Sequence, residues 1–155
     1  MKAFRSALCA ALLAGVVTTA LAIVTPALAV DDDTNTSNAD LTAVRAKIAA
    51  GNYAAALAEL RGLVEDNQDA DVYNLLGFTL RKTGDYSTSL DYYRKALELR
   101  PDFKPAHEYL GELYIETGHL DEARGELSEL SKLCPDGCEE RSDLEKALGA
   151  KAASE

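Results

Sequence analysis

After its first residue this chain has no methionine, and it holds only two histidines and three cysteines. Positive charge is also scarce: 16 Lys and Arg stand against 26 Asp and Glu, a net charge of −10. Nucleic acid and anionic membrane surfaces would both repel such a chain, and no basic stripe with interleaved aromatics offsets the repulsion. Gly-rich phosphate loops, nucleophile elbows and metalloprotease helices are missing too. The sequence therefore leads us to expect no catalytic site, no metal site and no cofactor. Carboxylates are abundant, but on helices with this charge pattern they read as solvated faces.

At the N-terminus, Lys2 and Arg5 precede an uncharged apolar run from Ser6 to Val24, and Ala27-Leu28-Ala29 follows with the small-x-small layout of a cleavage site. Residues 1–29 are expected to be a cleaved signal peptide that exports the chain, to the periplasm of a bacterium. The alternative is an uncleaved anchor, since the run is just long enough to span a bilayer. Pro26 and the abrupt acidic switch at Asp31-Asp32-Asp33 argue against it. Loss of Lys2 and Arg5 would take the net charge from −10 to −12. Residues 30–38, polar and without periodicity, read as a flexible acidic leader.

The rest is a repeat. An offset of 34 residues lays Leu76-Gly77 on Leu110-Gly111, Thr83-Gly84 on Thr117-Gly118, and Pro101 on Pro135. Each unit reads as a helical hairpin. Tyr73, Leu76, Gly77 and Leu80 lie at helical spacing, Thr83-Gly84-Asp85 breaks the run, and Ser89, Leu90, Tyr93, Ala96 and Leu97 form one face of a second helix that Pro101 ends. Gly77 with Ala96, and Gly111 with Ala123, are expected to let helix backbones approach closely. A degenerate unit precedes these two: Gly51-Asn52-Tyr53 parallels Gly84-Asp85-Tyr86, and its first helix, about residues 39–50, carries Leu41, Val44 and Ile48 on one stripe.

These residues and this period resemble the tetratricopeptide repeat. Tyr73, Leu76, Gly77, Leu80, Ser89, Tyr93 and Pro101 fill its pattern in one unit. His107, Leu110, Gly111, Tyr114, Ala123, Leu127 and Pro135 fill it in the next, with His107 in place of a large apolar or aromatic residue. The resemblance implies an all-α solenoid over residues 39–149. It comprises a degenerate repeat at about 39–69, repeats at about 70–103 and 104–137, a capping helix at about 138–149, and a frayed tail at 150–155. Asp136 and Glu139 have the spacing of a capping box for the last helix.

Cys134 and Cys138 bracket a tight turn. In an exported protein such a pair is most simply a disulfide, which fixes the angle of the cap and contributes about 2 kcal/mol. The alternative is a thiol pair for redox exchange or for a soft metal such as Cu(I), with the repeats as its docking platform. The stretch Leu133 to Glu140 also looks like the C-terminal end of some exported bacterial repeat proteins. His107 falls on a core-facing stripe and reads as a packed, hydrogen-bonded imidazole. His119 reads as a solvated turn residue.

The resemblance further implies a scaffold that holds another polypeptide in a groove lined by the first helix of each hairpin. That face is expected to carry Arg45, then Asn74, Phe78, Arg81 and Lys82, then Glu108, Tyr109, Glu112 and Glu116. Phe78 is either an anchor pocket with Tyr109 beside it or a packing residue between hairpins. The basic residues would pair with carboxylates of a partner and the acidic ones with its basic residues, so the groove is expected to be electrically divided. Some relatives grip a peptide's C-terminal carboxylate through lysines, asparagines and arginines, but here acidic residues occupy much of that face. Self-association through the concave or terminal face is compatible with this reading.

Overall fold

A computed structural model describes residues 40–66 and 68–154. The expected signal peptide, the leader and residue 39 lie outside the described residues. Among the described residues, seven helices follow one another: α1 Thr42–Ala49, α2 Tyr53–Asp66, α3 Ala70–Lys82, α4 Tyr86–Leu99, α5 Lys104–Glu116, α6 Leu120–Leu133 and α7 Glu139–Ala152. Among the described residues there is no strand.

The pairs α1/α2, α3/α4 and α5/α6 pack as hairpins, and each hairpin also touches the next. One turn joins the helices of every pair. Gly51, Gly84 and Gly118 all sit at positive φ, at 71°, 86° and 82°, where a Cβ would be strained. In each, the glycine N–H reaches back three residues and the following N–H reaches back five, as Asp85 does to the Leu80 carbonyl at 3.0 Å and His119 to Tyr114 at 2.8 Å. This double return satisfies the last carbonyls of the first helix. The degenerate unit makes the same bonds, from Gly51 to Ile48 and from Asn52 to Lys47. Its likeness to the other two is therefore structural as well as sequential.

Side-chain oxygens start four helices: Asp40 accepts from the Thr42 N–H at 3.0 Å ahead of α1, and Asn52 from the Ala55 N–H at 3.4 Å ahead of α2. Asp69 accepts from the Asp71 N–H at 2.9 Å ahead of α3, and Asp85 accepts from Thr88 at 3.2 Å ahead of α4. Such caps contribute about 1 kcal/mol each. For α7 the expected capping box does not form. Cys138 occupies the cap position and no side chain bonds the exposed amides, because Asp136 lies in the turn two residues earlier.

Leu41, Val44, Leu60, Val72, Leu76 and Ala96 are buried together in one apolar cluster, and Tyr93, Leu110 and Leu113 in a second. The glycines of the two Leu-Gly pairs make room for a side chain of a neighbouring helix. A Cβ on Gly77 would stand 2.7 Å from the Tyr93 ring of α4, and one on Gly111 would stand 2.5 Å from a methyl of Leu144 in α7. At Gly111 that side chain comes from the cap helix, which the sequence did not lead us to expect. α7 packs on both α5 and α6, and it continues past Gly149 to Ala152. Ala150, Lys151 and Ala152 are good helix formers with nothing to stop them, so the expected fraying starts three residues late.

Cys134 and Cys138 are joined as a disulfide with Cα atoms 5.9 Å apart. It spans the α6–α7 turn, with Cys134 buried and its sulfur 3.0 Å from the Leu130 carbonyl.

Candidate functional site

The first helices of the three hairpins, α1, α3 and α5, come together around a cavity of about 220 Å³. Its lining is Arg45, Ile48 and Ala49 from α1, Leu75 and Phe78 from α3, and Tyr109 from α5. Three of these six, Arg45, Phe78 and Tyr109, belong to the expected groove. Phe78 packs between hairpins and also lines the cavity. Its ring lies 5.1 Å from that of Tyr109, and it remains half-buried.

The charged residues of this face behave differently from the expectation. Arg81 is 3% exposed, and its guanidinium bonds Glu116 at 2.6 Å and also bonds Glu112. The Phe78 and Tyr109 rings lie 5.6 and 5.9 Å from its carbon. Burial opposes its charge, but Tyr93, Glu112 and Glu116 together raise its pKa above the ordinary arginine value. A divided groove with Arg81 free on one side and Glu112 and Glu116 free on the other is therefore corrected. A helix turn separates Arg81 from Phe78, and α5 brings both carboxylates onto it, so the three groups pair inside the chain and leave one negative charge over.

Arg45 is also engaged. It pairs with Asp71 at 3.3 Å, and Asp71 takes Arg100 of the α4–α5 turn at 3.0 Å. Asn74, expected at the surface, is 4% exposed, and its Oδ1 has no hydrogen-bond partner among the described residues. Lys82 is exposed, with its ammonium 5.2 Å from the Phe78 ring.

Glu108 is the outlier. It is half-buried, and no hydrogen bond or ion pair involves it among the described residues. Burial first, then Glu112, Asp143 and Glu140, push its carboxyl up to about 7, against a partial relief from Arg81. The contribution of α7 here was not read from the sequence, where Glu140 and Asp143 counted only as part of a wet face. Ile48, assigned to the core stripe with Leu41 and Val44, packs against that core and lines the cavity as well. One residue of helical phase separates that stripe from the cavity wall.

Outside the groove, His107 is buried and bonded as expected, with Nδ1 2.7 Å from Glu126 and Nε2 2.8 Å from the Pro101 carbonyl. His119 is exposed in its turn, 3.0 Å from the Thr117 hydroxyl. A larger cavity of about 340 Å³ lies between α4, α5 and the start of α6, with Tyr86, Arg94, Tyr114 and His119 in its lining. None of the expected groove residues lines it. Among the described residues, no three His, Cys, Asp or Glu side chains are placed to hold a metal ion, and no helix is long and apolar enough to cross a membrane.

Comparison with known proteins places this geometry in context. Two family models, each described as tetratricopeptide repeat, match residues 41–102 and 80–148. The photosystem I assembly protein Ycf3 of Acaryochloris marina (strain MBIC 11017) is 39% identical in an alignment of 85 residues that covers 47% of this chain. The chain spans about half the length of that relative, 51%. Among solved structures, the Yersinia enterocolitica type III secretion translocator chaperone SycD aligns at a TM-score of 0.64 with 19% identity, over 73% of this chain and 89% of that one. MamA aligns at 0.58 with 18% identity, over 73% and 74%. Both share the helical-solenoid architecture, and at such identities the likeness is one of fold.

Proposed function

Because the chain belongs to the tetratricopeptide-repeat family, whose members bind other proteins, we propose that it is a non-catalytic scaffold that holds a partner polypeptide against the face formed by α1, α3 and α5. The observation that carries this reading is the cavity at Ile48, Phe78 and Tyr109, where three hairpins each contribute an apolar side chain to one opening. Buried aromatic anchors in such openings dominate the energy of protein interfaces. The partly similar Ycf3 is named an assembly protein. That name supports a role in which the bound polypeptide is held during assembly of a larger complex.

We also propose that the chain acts after export to the periplasm. The apolar run with its Ala-x-Ala site supports this, as does the Cys134–Cys138 bond, since disulfides persist in oxidising compartments. N-terminal sequencing of the protein from its native cells should then begin at Val30, and a start at Met1 would refute cleavage.

Photo-crosslinking tests the face itself. A photoreactive residue placed at exposed Ala49, beside the cavity, should capture a defined polypeptide in native cells. The same residue at Asp121 on α6 should not. Equal capture from both positions, or none at Ala49, would contradict the assignment.

A further inference from the structure

The cavity of about 220 Å³ is smaller than the roughly 300–1,000 Å³ of pockets for drug-sized ligands. Its walls at Ile48, Leu75, Phe78 and Tyr109 are apolar or aromatic, so it suits one large side chain rather than a whole small molecule. The charge around it is asymmetric once internal pairs are removed. Arg81 is held by Glu112 and Glu116, and Arg45 by Asp71. Lys82 stays over the Phe78 ring, and Glu108 is left without a counter-ion among the described residues while carboxylates from α5 and α7 crowd it.

On the reading that this face holds a polypeptide, we propose that the occupant is a cationic and apolar segment. One large aliphatic or aromatic side chain enters the cavity between Ile48, Phe78 and Tyr109, and a lysine or arginine a few residues away pairs with Glu108. Glu108 directly precedes Tyr109 on α5, so both are reached by one extended segment that advances about 3.3 Å per residue. A cation there relieves the repulsion from Glu112, Glu140 and Asp143, which adds to burial in pushing the carboxyl up to about 7. A carboxylate of the partner would meet that same cluster, and a second copy of this chain brings a net charge of −10 toward it. Both are disfavoured.

An immobilised array of ten-residue peptides on a Gly/Ser background tests this with the purified protein. One class carries Leu or Phe with Lys or Arg one to three positions away, a second the cation alone, and a third Leu or Phe with Asp or Glu. Retention of the first class at least tenfold above the other two is expected. Glu108→Gln should keep the preference for Leu or Phe and lose that for the cation, and Glu108→Lys should favour the third class. Asp121→Asn, which removes the same charge from a side chain 94% exposed on α6, should retain the wild-type pattern. Apolar peptides retained equally with either charge, or an equal loss in Asp121→Asn, would overturn the proposed occupant and leave the groove in place. Retention of no class would overturn the groove and the occupant together.

Discussion

In the unit of residues 70–103 the two helices of the hairpin meet through stacked rings, Tyr73 and Tyr92, with centroids 6.1 Å apart. The same two positions 34 residues later hold His107 and Glu126, joined at 2.7 Å. Similar exchanges run along the groove face. Asn74 becomes Glu108, Phe78 becomes Glu112, Arg81 becomes Ile115 and Lys82 becomes Glu116. The turn glycines and the Leu-Gly pairs do not change. Packing between hairpins therefore constrains one set of positions, while the other set can carry a different chemistry in each unit. The two units are complementary for this reason: Arg81 of the first is neutralised by residues of the second that stand where Phe78 and Lys82 stood.

Removal of Arg81 should break that complementarity most severely. Arg81→Ala leaves Glu112 and Glu116 facing each other beside a void, and a loss of about 3 kcal/mol in urea unfolding is expected. Arg81→Glu should lose more, so a failure of that variant to bind a partner would report unfolding rather than recognition.

The paired glycines sharpen the comparison. Gly77→Ala drives a methyl into the fully buried Tyr93 ring, which cannot turn aside, at a cost of about 3 kcal/mol. At Gly111→Ala the obstacle is the methyl end of Leu144, equally buried but smaller than a ring, and a smaller loss of about 2 kcal/mol is expected from thermal unfolding. Equal losses would show that the two units are packed more alike than the cap helix suggests.

The His107 bond should add a pH dependence that the tyrosine stack lacks. Both ring nitrogens face acceptors, and only the imidazolium donates to both. Burial lowers its pKa, but the Glu126 bond, the Pro101 carbonyl and the charges of Glu126 and Glu129 outweigh this and raise it above 6.5. With the folded value above the unfolded one, the stabilisation is complete below about 6.5 and disappears as pH rises through the folded value. The gap in stability between the wild type and Glu126→Gln should thus be about 1.5 kcal/mol at pH 5.5 and shrink on the alkaline side. A gap that is constant with pH would assign His107 to packing alone.

The smallest effect concerns Glu108, whose raised pKa has the opposite consequence for a carboxyl. The folded state binds its proton more tightly than the unfolded state, so stability falls as pH rises from about 4.5 to about 7. Glu108→Gln should stabilise the protein by about 1 kcal/mol at pH 8, after allowance for solvent screening, and by almost nothing at pH 4.5. A residue that destabilises its own fold at neutral pH fits a site kept for a ligand.

Much of this fold was legible because its strongest signals are local. The Gly84 and Gly118 turns, the proline stops and the Leu-Gly stripe each follow from backbone geometry, and they locate the helices to within a few residues. The cap helix shows the limit, since the helix formers Ala150, Lys151 and Ala152 after Gly149 went unread and carry it to Ala152. The groove was legible in part. Phe78 and Tyr109 could be placed on one face by phase, but the partners of Arg81 lie 31 and 35 residues away on α5, and only the angle between hairpins decides that they meet. The crowding of Glu108 by α7 depends on the same angle. Glu126 had a signal that went unread: the exchange of Tyr73 and Tyr92 for His107 and Glu126 at one offset.

The most direct test compares two aromatic residues. Phe78 walls the groove, while Tyr86 is 40% exposed at the start of α4, away from it. With the polypeptide captured by crosslinking as titrant, Phe78→Ala should weaken binding by at least about tenfold, as expected for a buried aromatic anchor, and Tyr86→Ala should leave it unchanged. Unchanged binding by Phe78→Ala with native helicity, or an equal loss in both variants, would contradict a partner held on the face of α1, α3 and α5.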